Sequence, residues 1–230
     1  MVKALVFDTG PLISLALNNL LWVLKPLKEK FGGEFYITPS VKKEVVEKPL
    51  TTKRYKFEAL QVLSLVETGV LKVYDSPDLR KEALSLLDSA NSLFMADGNY
   101  VKNVQYAEIE SVMAAKLLHA DAVVVDEFIT RALLENPEAV EQRMEKRFHR
   151  NIDADKKNID AFSRRVSGIN VIRSFELIAV AYEKGLFREY YLKLDNPKET
   201  LLDGLLWGLK LNGCSVTEQE IAEIKKLEGF

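Results

Sequence analysis

The chain has 230 residues, 47% of them hydrophobic and 29% charged, with 34 acidic and 32 basic side chains for a net charge of −2. This is an ordinary globular composition for one large domain, or one with an appended piece. No run of about 18 apolar residues offers a transmembrane helix, the opening Met1-Val2-Lys3 is wrongly flanked for a signal peptide, and a cytoplasmic location is the default expectation.

The first predicted element is the strand Val2–Phe7, ended by Asp8 and followed at once by Thr9-Gly10-Pro11. Pro11 suits the first turn of a helix, where its missing N–H has no partner to lose. Leu12, Leu15, Leu20, Val23, Leu24 and Leu27 give residues 11–30 a helical period, which Gly32-Gly33 stops. A second strand, Glu34–Thr38, leads through Pro39 into a short helix over 40–48. Phe57, Leu60, Leu63 and Leu65-Val66 predict a helix over 54–68, followed by a strand at Val70–Tyr74. Helices over 78–95 and 106–119 precede the strand Ala122–Val125, which Asp126 ends. A fifth strand fits Ile169–Ile172, and helices follow over 174–184, 197–211 and 217–228. The last opens with Thr217-Glu218-Gln219-Glu220, a capping-box pattern. Strands alternating with helices predict an α/β fold: three layers, α/β/α, around a mainly parallel sheet of four or five strands, with C-terminal helices added.

The character changes after Arg131. Residues 135–167 are dense in charge, and Arg143, Lys146, Arg147, Arg150, Lys156, Lys157, Arg164 and Arg165 follow one another within them. Interleaved Glu and Asp suit a solvated helical face. The other reading is a basic arm that grips a phosphate backbone. The expected organisation is a core over 1–134, a charged helical insertion over 135–168, and a C-terminal strand and helices over 169–230 packed on the core.

Chemistry is expected where strands end, because open α/β sheets bind ligands beyond their carboxyl edges. Asp8 and Asp126 each end a strand. Glu44 lies early in the helix after Pro39, and Glu108 and Glu110 begin the helix that feeds the Asp126 strand. Each has a bland alternative, as a helix cap or a complement to a helix dipole. One cysteine and two histidines, His119 and His149, argue against a disulfide or a Cys/His zinc site. Any metal held by these carboxylates is expected to be hard, Mg²⁺ or Mn²⁺.

Four segments together resemble the PIN-domain nucleases over about residues 2–134. They are Val6-Phe7-Asp8-Thr9-Gly10-Pro11-Leu12-Ile13-Ser14, Tyr36-Ile37-Thr38-Pro39-Ser40-Val41-Lys42-Lys43-Glu44-Val45, Ala107-Glu108-Ile109-Glu110-Ser111-Val112-Met113-Ala114-Ala115, and Ala122-Val123-Val124-Val125-Asp126-Glu127 followed by Arg131. The third is similar to the Gly-Glu-x-Glu-Ala variant of some subfamilies, with alanine leading. Valine stands before Asp126, where many members carry Thr, Ser or Asn. Residues 174–186 are similar to the tail of longer members.

The resemblance implies a metal-dependent endoribonuclease of the toxin or RNA-processing kind. Asp8, Glu44, Glu108 and Asp126 would hold Mg²⁺ or Mn²⁺, with Thr9, Glu110, Glu127 and Arg131 auxiliary. Single-stranded RNA would lie across the strand ends with Arg143, Lys146, Arg147 and Arg150 on its phosphates. A homodimer and an antitoxin-like protein partner are implied, and no membrane. Two rivals stand beside it. One is a PIN-like module that binds RNA or protein with little or no catalysis. The other is an aspartyl-phosphate enzyme using Asp8, against which Gly10 occupies the place of the usual second acid.

Overall fold

The computed structural model describes residues 3–230; Val2, assigned above to the first strand, lies outside the described residues. Strand β1 (Ala4–Phe7) leads into helices α1 (Thr9–Leu17) and α2 (Leu24–Phe31). The helix expected over 11–30 is therefore broken, with Asn19 left-handed at the break and a 3₁₀ turn over Leu21–Val23. After β2 (Glu34–Ile37) the chain stays helical through α3 (Pro39–Lys42), a π-helical stretch Lys43–Glu47, and α4 (Lys48–Leu50). Thr38 caps this run through its hydroxyl, which accepts from the Val41 N–H. Helix α5 (Lys56–Glu67), strand β3 (Leu71–Val73) and helix α6 (Pro77–Ala90) follow.

Residues 91–105 depart from expectation. The helix predicted to reach 95 stops at Ala90, and β4 (Phe94–Ala96) turns through Asp97-Gly98 into β5 (Asn99–Tyr100). Asp97 and Gly98 both have positive φ, 51° and 76°, as a tight hairpin turn requires. An Asp-Gly pair was the available signal, masked by the short strands on either side.

Helix α7 (Tyr106–Leu118) runs into β6 (Ala122–Val124), followed by α8 (Phe128–Glu135) and α9 (Pro137–Phe148). Strand β7 (Asp153–Ala154) pairs antiparallel with β4, making a small three-stranded sheet. Then come α10 (Lys156–Val166), β8 (Val171–Ile172), α11 (Ser174–Glu183), α12 (Pro197–Leu211) and α13 (Glu218–Leu227). The capping box at Thr217 and Glu220 is present. His119 and His149 are left-handed residues closing α7 and α9.

The main sheet is five-stranded and parallel throughout, in the order β3-β2-β1-β6-β8, with helices on both faces. Alternation along the strands builds two cores. Leu5, Phe7, Phe35, Ile37 and Val124 face one, with α1, α2, α5 and the C-terminal helices over it. Val6, Val123 and Val125 face the other, under α6, α7, α8, α9 and α10. The charged stretch 135–167 is amphipathic: Val140, Met144, Phe162 and Val166 are buried in this second core while their charged neighbours face solvent. No helix among the described residues is long and apolar enough to cross a membrane.

Candidate functional site

Strands β1 and β6 are neighbours, with Phe7 beside Val124. The helix after β1 sends Leu12 and Leu15 into the first core, whereas the helix after β6 sends Ala132 and Leu133 into the second. The chain thus leaves two adjacent parallel strands toward opposite faces, and such a divergence opens a crevice at their carboxyl ends. Asp8 and Asp126 stand on its two sides. A Cβ built on Gly10 would lie 3.5 Å from Asp126 Cβ and 4.0 Å from Asp8 Oδ2, so a bare glycine separates them.

Asp8 is 3% exposed. It occupies the N-cap position of α1 with extended backbone, yet its side chain does not take the usual capping hydrogen bond. The Ser111 hydroxyl, from α7, reaches Oδ1 at 3.4 Å. Burial dominates this carboxyl group and raises its pKa from 3.8 to about 6. The Thr9 and Gly10 N–H groups pull it down, the Glu44 charge pushes it up, and Ser111 lowers it slightly.

Glu44 sits in the π-helical stretch, a local irregularity often found at functional sites. Its Oε2 accepts from the Thr9 hydroxyl at 2.8 Å, and its Oε1 lies 3.8 Å from Lys48 Nζ. Glu108 comes from the first turn of α7. Its Oε2 accepts from the Gln105 N–H at 3.0 Å and the Thr130 hydroxyl at 3.1 Å. Burial pushes its pKa up to about 7; the Gln105 N–H opposes this, and the Asp8 and Glu127 charges add to it. The Glu44 charge thus acts on Asp8 and the Asp8 charge on Glu108, which links the three acids through Asp8. Glu110 has a different task. Buried at 4% exposure, it accepts from the Ser40 N–H at 2.9 Å and so closes the N-terminus of α3. Glu127 caps α8 by accepting from the Thr130 N–H at 2.8 Å.

Asp126 is turned away from this group. Its Oδ1 accepts from the Ser174 N–H and its Oδ2 from the Ser174 hydroxyl, both at 2.7 Å. Buried Cys214 lies against it, its thiol pushed up to about 12 by burial and by the Asp126 charge. The Ser215 N–H donates to the Asp126 carbonyl at 3.0 Å. Arg173, 5% exposed, fastens this corner: it donates to the Ser215 carbonyl at 3.0 Å and pairs with Glu176 and, at 2.7 Å, with Glu220.

No family model, curated protein or solved structure matches this chain. The nuclease reading therefore rests on the four strand-and-acid motifs and on the site itself. Among the described residues, no three His, Cys, Asp or Glu side chains are gathered as a ready metal cage. The donor set nevertheless suits a hard cation in kind: Asp8 and Glu108 are desolvated oxygen donors, each pushed up further by a neighbouring acid (Glu44 on Asp8, Asp8 on Glu108), and neither is in a salt bridge among the described residues.

Of the four predicted phosphate contacts, Arg143 and Arg147 line a cleft on the second face with Lys102, Asn103 and Glu127. Arg143 lies over the Phe128 ring at 4.4 Å. Lys146 is exposed outside that cleft, and Arg150 is spent on Asp97 at 2.8 Å. Arg131 also approaches Phe128, and its buried Nε has no hydrogen-bond partner among the described residues. Sequence reasoning missed Ser111, Thr130, Ser174 and Arg173. Ser111 and Thr130 sit within a turn of acids already singled out, a signal that was there to be read. Nothing local ties Ser174 to Asp126, 48 positions away, or Arg173 to Ser215 and Glu220, 42 and 47 positions away.

Proposed function

We propose that the chain is a metal-dependent endoribonuclease whose working acids are Asp8, Glu108 and Glu44, with Asp126 bordering the site. One observation carries this reading. Asp8 and Glu108, a hundred positions apart in sequence, are both desolvated near the carboxyl edge of the sheet, the Asp8 charge raises the Glu108 pKa, and neither is in a salt bridge among the described residues. Acids in that condition destabilise the fold unless a ligand uses them. A bound Mg²⁺ or Mn²⁺ supplies an ionised water at neutral pH and neutralises charge at a phosphoryl group. Asp8 and Glu108 would hold the ion directly, and Glu44, steadied by Thr9, would complete its surroundings. The serine hydroxyls at 111 and 174 each lie against a carboxylate and have no imidazole beside them among the described residues, so neither is equipped as a nucleophile.

The test couples binding with chemistry. Wild-type protein is expected to be stabilised by Mn²⁺ in a thermal melt and to cleave single-stranded RNA, and Asp8→Asn to lose both. Equal cleavage by the two proteins would remove the assignment. A second reading is favoured by one observation: both Asp126 oxygens are already bonded to Ser174, as in a site kept for binding RNA or protein. RNA binding without Mn²⁺ stabilisation or cleavage would establish that reading instead.

A further inference from the structure

The cleft lined by Arg143 and Arg147 adjoins the acidic site through a shared wall. Glu127, whose charge raises the Glu108 pKa, also borders the cleft, which encloses about 240 Å³. Three cations point to one pocket: Lys102 from the loop after β5, and Arg143 and Arg147 one turn apart on α9. None of the three is in an ion pair among the described residues, in contrast to Arg150, Arg165 and Arg173. The Asn103 amide nitrogen is buried there without a hydrogen-bond partner among the described residues. Arg143 is braced against Phe128, so its guanidinium is held rather than free. The one opposing charge, Glu127, is engaged by the Thr130 N–H at the start of α8.

Unpaired guanidinium groups with a buried amide donor suit a tetrahedral, multiply charged oxyanion, which accepts several hydrogen bonds at once. We infer that this cleft is a phosphate subsite, taking one phosphoryl group of an RNA strand whose neighbouring linkage lies at the acids. The inference rests on the ribonuclease reading for its ligand, and on the cleft's own donors for its chemistry. It gives the 135–167 segment a defined role, with two of its eight basic residues in the subsite and Lys102 and Asn103 joining from outside it.

The experiment measures binding of a short single-stranded RNA in EDTA, where no cleavage interferes, as 5′-phosphorylated and 5′-hydroxyl forms. Arg143→Gln/Arg147→Gln keeps much of the apolar stem packing and removes the charge. Its affinity should fall by about tenfold or more, and the slope of log K against log salt by about 0.7, the contribution of one single-strand phosphate contact. Lys156→Gln/Lys157→Gln, an equal loss of charge from α10, should weaken binding less. A loss confined to the phosphorylated strand identifies a terminal phosphate, and an equal loss on both identifies an internal linkage. Affinity within twofold of wild type on both strands, or an equal loss in the α10 variant, overturns the subsite. So does wild-type protein that binds neither strand. Wild-type protein that shows the Arg-dependent binding yet never cleaves in Mn²⁺ sinks the nuclease reading alone.

Discussion

Asp8 and Asp126 follow neighbouring parallel strands of similar sequence, yet their surroundings are opposite. Asp126 has both oxygens bonded to Ser174, with Cys214 against it and Arg173 bracing the corner. Asp8 has a long contact to Ser111, and burial raises its pKa to about 6. Register explains the difference. Phe7 lies beside Val124, so Asp8 continues beside Val125 and Asp126 falls one position later. Successive residues of a strand face opposite sides, and the one-residue offset sends the two carboxylates to different faces. Asp8 meets α7 and its Glu108; Asp126 meets the N-terminus of α11. The strand-end acid that the structure satisfies is an anchor, and the one it leaves short of partners is the better candidate for chemistry.

The largest effect expected is on chemistry. Asp8→Asn should lower Mn²⁺-dependent RNA cleavage by about a thousandfold, as the loss of several kcal/mol of metal-assisted stabilisation implies. Gel assays under single-turnover conditions would read it.

The same substitution should act in the opposite direction on the metal-free fold. A carboxyl group whose pKa rises from 3.8 unfolded to about 6 folded binds more protons in the native state, so stability falls as pH climbs through that window. Asp8→Asn removes the penalty. It should stabilise the protein by about 2–3 kcal/mol at pH 7 and by nearly nothing at pH 3.5, measured by urea unfolding in EDTA. A variant less stable than wild type at pH 7 would break the contrast between the two acids.

On the satisfied side the sign reverses. Ser174→Ala leaves Asp126 Oδ2 buried without its hydroxyl and should destabilise the fold by about 2 kcal/mol. Smallest is Glu220→Gln, which weakens a partly exposed pair with Arg173 and should cost about 0.5–1 kcal/mol near neutrality. The pKa of Glu220 is lowered in the fold, its N–H and Arg173 partners outweighing burial, so this loss should fade as pH drops below the carboxylate range.

Much of this was legible in the chain. Periodicity placed the strands of the main sheet to within a residue or two, and it placed helix 197–211 at its observed bounds. Asp8, Glu44, Glu108 and Asp126 were legible as residues because each follows a strand or opens a helix. The small sheet of β4, β5 and β7 was not, since strands of two or three residues show no period and the pairing joins positions 94–95 to 153–154. Glu110 was equally conspicuous beside Glu108. One faces the Ser40 backbone and the other the Asp8 side, a distinction set by the rotation of α7 against the sheet.

The sequence by itself determined the layering and the presence of acids at the strand ends, because alternation and helical period are local consequences of backbone geometry. Only the tertiary structure decided which acids meet. Asp8 joins Glu44 and Glu108 while Asp126 is drawn to Ser174, through strand register, helix rotation and burial, all of which depend on residues far apart in the chain.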